Sequence, residues 1–139
     1  MNKELGIKNG EVKTSLEVKG EKKFDFDERL IDFAVLIINI SENAFETRAA
    51  NHITGQMLRS GTSPSLNYGE AQSAESRNDF IHKLKILTKE LKETLNALKI
   101  MRRVPLTKQL DMVDKGIVEC NELISIFMKS IQTAKSNNN

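Results

Sequence analysis

The stretch from Gln56 to Glu93, QMLRSGTSPSLNYGEAQSAESRNDFIHKLKILTKELKE, decides the fold because it joins two helical patterns of opposite character. In its first half the polar side chains Gln56, Ser60, Ser63, Asn67 and Glu70 recur at spacings of 4, 3, 4 and 3, with Arg59 beside them. At about 3.6 residues per turn those spacings set all five on one side of a helix. The result is a polar seam where a bundle helix ordinarily carries an apolar one. The second half places Phe80, Leu84, Leu87 and Leu91 along one edge and lysines along another, the pattern of an amphipathic helix.

The same periodicity extends outward in both directions. Towards the C-terminus, a helix from about Ser76 to Arg102 continues its seam through Thr94, Leu98 and Met101 until Val104-Pro105 ends it. A further helix from about Thr107 to Ala134 repeats the seam with Leu110, Val113, Ile117, Cys120, Ile124, Phe127 and Ile131. Towards the N-terminus, a helix starting near Glu46 or Thr47 carries Ala49, Ile53 and Met57 inward. Gly61 and Pro64 strain this helix, since proline lacks the amide proton of the i to i−4 bond. Two geometries follow: a kink near Pro64 with continuation to about Ala71, which we favour, or a stop near Ser60 and a restart capped by Ser63. Gln72 to Glu75 then forms the connection, and Ser76 caps the next helix with Asp79 at its third position.

The first helix should run from about Asp27 to Asn43, entered through acidic residues that suit the positive end of its dipole. Phe26, Leu30, Phe33, Ile37, Ile40 and Ala44 form one seam, and Ile31, Val35 and Ile38 add a second apolar edge. One bundle core covers one stripe, so the second edge calls for another covering surface and predicts a homo-oligomer. The expected architecture is all-α: an antiparallel up-down four-helix bundle over residues 24–135, preceded by a flexible arm at 1–23 and followed by a disordered tail at 136–139.

Composition agrees and narrows function. A chain of 139 residues with 39% apolar content supports one domain, and two prolines and seven glycines leave few helix breakers. A formal charge of +2 imposes no overall field on the choice of partner. The longest apolar run, Phe33 to Ile38, is too short to cross a bilayer, and the first residues lack the apolar core of a signal peptide. With one cysteine and hence no intrachain disulfide, the chain reads as soluble, cytoplasmic and not bound to membrane.

Catalytic constellations are not found. A di-iron bundle needs Glu-x-x-His pairs, and the nearest match, Asp79-x-x-His82, directs His82 to the lysine side. His52 adjoins the inward Ile53 and reads as a boundary residue. Cys120 falls on an apolar seam, where a thiol packs as a small hydrophobe. Ser60, Thr62 and Ser63 have no histidine nearby to act as base, and there is no G-x-x-x-x-G-K-[ST] phosphate loop. No metal, cofactor or catalytic residue is expected, and the chain reads as a non-enzyme.

One surface pattern does suggest binding. His82, Lys85, Lys89, Lys92, Asn96, Lys99 and Arg103 follow spacings of 3, 4, 3, 4, 3 and 4 along one helix face. Lys85, Lys89, Lys92, Lys99 and Arg103 could track the phosphates of RNA or DNA, without the interleaved aromatics of a base-stacking surface. The other reading is a solvated face softened by Glu90 and Glu93, with Lys89 and Glu93 forming an i, i+4 pair. The polar seam likewise admits two readings: hydrogen-bonded glue within or between subunits, or a ligand groove.

Several motifs carry a family resemblance. Phe33-Ala34, the run from Gln56 through Arg59-Ser60-Gly61-Thr62-Ser63 and Asn67-Tyr68-Gly69-Glu70 to Ala71, Asp79-Phe80-x-x-Lys83-Leu84 and Lys89-Glu90-x-x-Glu93-Thr94 resemble the four-helix bundle proteins of bacterial 23S rRNA intervening sequences, also called S23 ribosomal proteins. The resemblance covers about Phe24 to Ile131. It implies a homopentameric ring with no established enzymatic activity. A more distant similarity, to the accessory variability determinant of diversity-generating retroelements, implies a basic ring that meets nucleic acid and a nucleic-acid enzyme, a reverse transcriptase.

Overall fold

A computed structural model describes residues 25–137 and folds them into four helices. The arm expected at 1–23 and the last two residues of the expected tail lie outside the described residues. The helices are α1 (Phe26–Glu42), α2 (Arg48–Gln72), α3 (Arg77–Arg103) and α4 (Leu110–Ser136). Three of the four are capped as their first residues dictate: Asp25 Oδ1 accepts from the Glu28 amide at 3.2 Å, Thr47 Oγ1 from Ala50 at 3.1 Å and Ser76 Oγ from Asp79 at 3.0 Å. The fourth starts later than its pattern suggests. Thr107, the expected first residue of α4, instead donates from Oγ1 to the Asn43 carbonyl at 2.8 Å and accepts there from the Gln109 amide at 3.0 Å. Together with a backbone bridge between Ala44 and Thr107 and a 2.9 Å bond from the Phe45 amide to the Leu106 carbonyl, this ties the α1–α2 connection to the α3–α4 connection. Ser136, assigned to the tail by its sequence, is the last residue of α4.

The helices pack in a closed order, α1 on α2, α2 on α3, α3 on α4, with α1 against α4 the thinnest seam. Along each seam the paired residue numbers rise on one helix as they fall on the other. Arg59 meets Glu93 and Glu70 meets Lys83; Cys120 meets the Leu91 carbonyl and Arg77 the Ala134 carbonyl. Leu30, Phe33, Ile37, Ile40, Met57, Leu84, Leu87, Leu91, Leu98, Met101, Leu123 and Phe127 are buried, each contributing about 1.5–3 kcal/mol through removal from water.

α2 differs from the expectation in its inward face. Ala49 is exposed, and Ala50 is buried with Thr54 and Met57. One residue is about 100° of helix rotation, so Ala49 points away from the stripe that meets the core. The helix continues through Gly61 and Pro64, both buried. The glycine is there for space: a Cβ at Gly61 would lie 2.9 Å from both Cγ atoms of Ile37 on α1. The hydroxyls of Thr62 and Ser63 donate to the Leu58 and Arg59 carbonyls of their own helix, each at 2.6 Å, in the turn that precedes Pro64.

Candidate functional site

The polar seam of α2 lies along its border with α3. At the centre, Ser60 and Thr94 are both buried and their hydroxyl oxygens are 2.7 Å apart. Thr94 Oγ1 also sits 2.9 Å from the Glu90 carbonyl, to which it donates its one proton, so Ser60 is the donor between the two hydroxyls. Further out, Arg59 donates to Glu90 at 3.3 Å, to Glu93 at 2.9 Å and to Gln56 at 3.4 Å. Lys83 donates to Glu70 at 3.0 Å. Both cations are held above their ordinary pKa, first by the hydrogen bond from Arg59 to Glu93 and from Lys83 to Glu70. Ser63 bonds only to its own helix, and Asn67 is half-buried with no side-chain hydrogen bond among the described residues.

This seam changes the electrostatics of the opposite side of α3. Lys85, Lys89, Lys92, Lys99 and Arg103 are all exposed on one face, together with His82 and Asn96. From Lys85 to Arg103 the face runs about 27 Å at 1.5 Å per residue. The expected pair between Lys89 and Glu93 does not form, because Glu93 reaches across to Arg59 instead. Glu90 does the same. Among the described residues none of the five cations has a carboxylate within 4.0 Å, whereas Arg29, Arg59, Lys83 and Arg102 are all paired. Lys85, Lys89, Lys92 and Asn96 line a shallow groove between α3 and α4 whose floor includes Thr88, Met128 and Ile131. The groove offers three ammonium groups, the Glu93 carboxylate that is paired with Arg59, and aliphatic surface, a net cationic lining that lacks rings for stacking.

The predicted oligomer edge of α1 is exposed: Ile31 at 45%, Val35 at 50% and Ile38 at 41%. It lies on the side of α1 away from the core, bordered by the exposed Glu28, Asp32 and Glu42. Sequence periodicity missed a second element of this surface, Val118 of α4 at 60% exposure, which lines a groove with Leu36 across the α1–α4 seam. Its only signal was an apolar residue off the α4 stripe.

Cys120 is buried and its Sγ donates to the Leu91 carbonyl at 3.1 Å. Burial pushes its thiol up to about 12, with Glu119 adding to the effect. His52 and His82 are exposed on different helices. Among the described residues, no three His, Cys, Asp or Glu side chains converge as metal ligands, and no helix is long and apolar enough to cross a membrane.

Comparison with known proteins follows the same outline. Residues 22–129 match the family model described as 23S rRNA-intervening sequence protein. Among solved structures, the chain is similar to a protein of unknown function from the S23 ribosomal protein family of Bacteroides thetaiotaomicron. The two are 30% identical with a TM-score of 0.65, over 76% of this chain and 96% of that one. Among curated proteins, none matches the chain.

Proposed function

The chain belongs to the 23S rRNA-intervening sequence protein family, and on that premise we propose that it is a non-enzymatic, oligomeric bundle that binds RNA or DNA through the α3 face. The observation that carries this reading is the row of five cations whose neighbouring carboxylates, Glu90 and Glu93, are drawn off to Arg59. An uncompensated row attracts the phosphate backbone, and each phosphate it neutralises releases condensed counterions, so affinity falls with salt. Such a face recognises charge and spacing rather than base identity, because phosphate contacts position a protein without reading sequence.

Self-association multiplies that face. The Ile31, Val35 and Ile38 ridge is too apolar to be left in water on every copy, and a ring of the kind implied by the family resemblance repeats the cations around one assembly. A nucleic-acid enzyme such as a reverse transcriptase would meet the same repeated surface. The α1 ridge also favours an alternative: a protein-binding scaffold with no affinity for nucleic acid.

Filter binding against structured RNA and single-stranded DNA at several salt concentrations separates the two. Nucleic-acid binding requires a linear fall of log affinity with log salt, and Lys85→Gln/Lys89→Gln/Lys92→Gln should reduce that slope by roughly two to three. Absence of binding at low salt, or a slope unchanged by the triple substitution, overturns the reading.

A further inference from the structure

α4 turns an uncharged polar stripe to solvent beside the cationic face of α3. Asn121, Ser125 and Gln132, with Met128 among them, recur at spacings of 4, 3 and 4, which sets them on one side of the helix, and all four are exposed. Met128 also lines the groove of Lys85, Lys89 and Lys92, so the stripe borders that groove. Three contacts fix the antiparallel register of the two helices: Leu91 to Cys120, Arg102 to Asp114 and Arg77 to Ala134. In that register Lys92 stands within a turn of Asn121, Lys89 of Ser125 and His82 of Gln132, over about 16 Å at 1.5 Å per residue. The hydrogen-bonding groups of the stripe are unspent. Ser41, Ser63, Ser130 and Ser136 each donate to a carbonyl one turn back in their own helix. Among the described residues Asn121, Ser125 and Gln132 make no side-chain hydrogen bond, nor does Asn96 on the other wall of the groove.

We infer, on the premise that α3 binds nucleic acid, that the α4 stripe is the second wall of that site and that the two together take duplex RNA. The lysines hold the phosphates of one strand, and Asn121, Ser125 and Gln132 meet the 2′-hydroxyls beside them. A 2′-hydroxyl is both donor and acceptor, as are a carboxamide and a serine hydroxyl, and A-form RNA displays its 2′-hydroxyls along a wide, shallow minor groove that a convex helix face can meet. Axes of packed helices lie about 8–10 Å apart, so α3 and α4 present the charged and the uncharged row side by side. Duplex DNA fits this surface less well. Its minor groove, about 6 Å wide, is too narrow for a helix about 10 Å across, and a helix seated in its major groove meets phosphates on both flanks. Among the described residues the far flank of α4 has no second cationic row: Lys115 and Lys129 are interspersed with Glu119 and Glu122, and α1 beyond them exposes Glu28 and Asp32. Single strands are held chiefly by ring stacking, and neither row includes a Phe, Tyr or Trp.

The test uses the full chain in competition filter binding against an RNA duplex of about 20 base pairs, the DNA duplex of the same sequence, the single RNA strand, and the RNA duplex carrying 2′-O-methyl groups, which keeps the A-form and removes the hydroxyl donors. At matched salt the unaltered protein should prefer the unmodified RNA duplex to each of the others by about tenfold, the effect of a few hydrogen bonds. Asn121→Ala/Ser125→Ala/Gln132→Ala should bring that preference to within about twofold while leaving the salt slope unchanged, because no cation is lost. All three positions are exposed and alanine favours the helix, so circular dichroism and the urea midpoint should not fall. Equal binding of RNA and DNA duplexes, equal binding of methylated and unmethylated RNA, or a preference for the single strand overturns the inference and leaves the cationic face of α3 standing. A triple variant that keeps the full preference does the same. Absence of binding to all of these probes at low salt removes the nucleic-acid role of α3 itself, and the inference with it.

Discussion

Gly55 and Gly61 lie on the same helix but meet different surroundings, so the same substitution should have opposite signs at the two. A methyl group at Gly55 would find nothing within 4 Å, whereas at Gly61 it would press on the branched root of Ile37 at 2.9 Å. Alanine is favoured over glycine in a helix by about 1 kcal/mol. Gly55→Ala should therefore stabilise by about 0.5–1 kcal/mol, while Gly61→Ala should destabilise by about 1–2 kcal/mol once overpacking is counted. Urea titrations of both variants check the pair. Cys120 gives a second residue-level expectation. Its thiol should resist a disulfide reagent at pH 8 and react fully in denaturant, since the reactive thiolate is suppressed in the folded state. The folded protein keeps its proton up to about pH 12 from an ordinary value of 9.0. The unfolded chain loses the proton first, so this contribution is intact below pH 9 and declines as pH rises towards 12. The loss is of the order of 1 kcal/mol per pH unit. Denaturation measured at pH 8 and pH 10 should show that component in the parent and not in Cys120→Ala. The burial of Cys120 was legible from its place on the α4 stripe. The need for glycine at Gly61 was not, because it depends on which residue of α1 faces it.

At the scale of elements, α3 turns Glu90 and Glu93 towards Arg59 of α2 and leaves Lys85, Lys89, Lys92, Lys99 and Arg103 unpaired among the described residues. Arg59 maintains the division. Arg59→Ala would release Glu90 and Glu93, and Glu93 lines the same groove as Lys85, Lys89 and Lys92. The substitution should weaken nucleic-acid binding severalfold at low salt without removing any of the five cations, and the deficit should shrink as salt screens the freed charges. Filter binding of Arg59→Ala beside Lys83→Ala, which disturbs a pair further along the seam, tests this. Spacing within α3 placed Lys85, Lys89, Lys92, Lys99 and Arg103 on one face, all of them exposed, while the solvated-face reading assigned Glu93 to Lys89. An i, i+4 interval says which side chains are near on one helix; it says nothing of a guanidinium offered by the next helix. Connections were misjudged for the same reason: Thr107 looked like the opening of α4, but partners in the α1–α2 connection hold it outside the helix.

The whole molecule leaves its most apolar helix with one side uncovered. The four-helix all-α class was readable because the 4 and 3 spacings persist over each segment, and the same spacings exposed Ile31, Val35 and Ile38 as surplus to a single core. In sedimentation at micromolar concentration the protein should run as an assembly, and Val35→Asp with Ile38→Asp should return it to the monomer with its helical content intact. A monomeric parent would remove the multivalent form of the proposal. The tie between the α1–α2 and α3–α4 connections has a mechanical consequence. Among the described residues, the thin α1–α4 seam is stitched at that pole by Phe45 to Leu106 and Asn43 to Thr107. Towards the other pole the same seam is held by the packed Phe26, Tyr68 and Phe127 rings and by Arg29, clamped to Glu119 and Glu122 at 2.7 Å each, so prising α1 from α4 should first require breaking that latch.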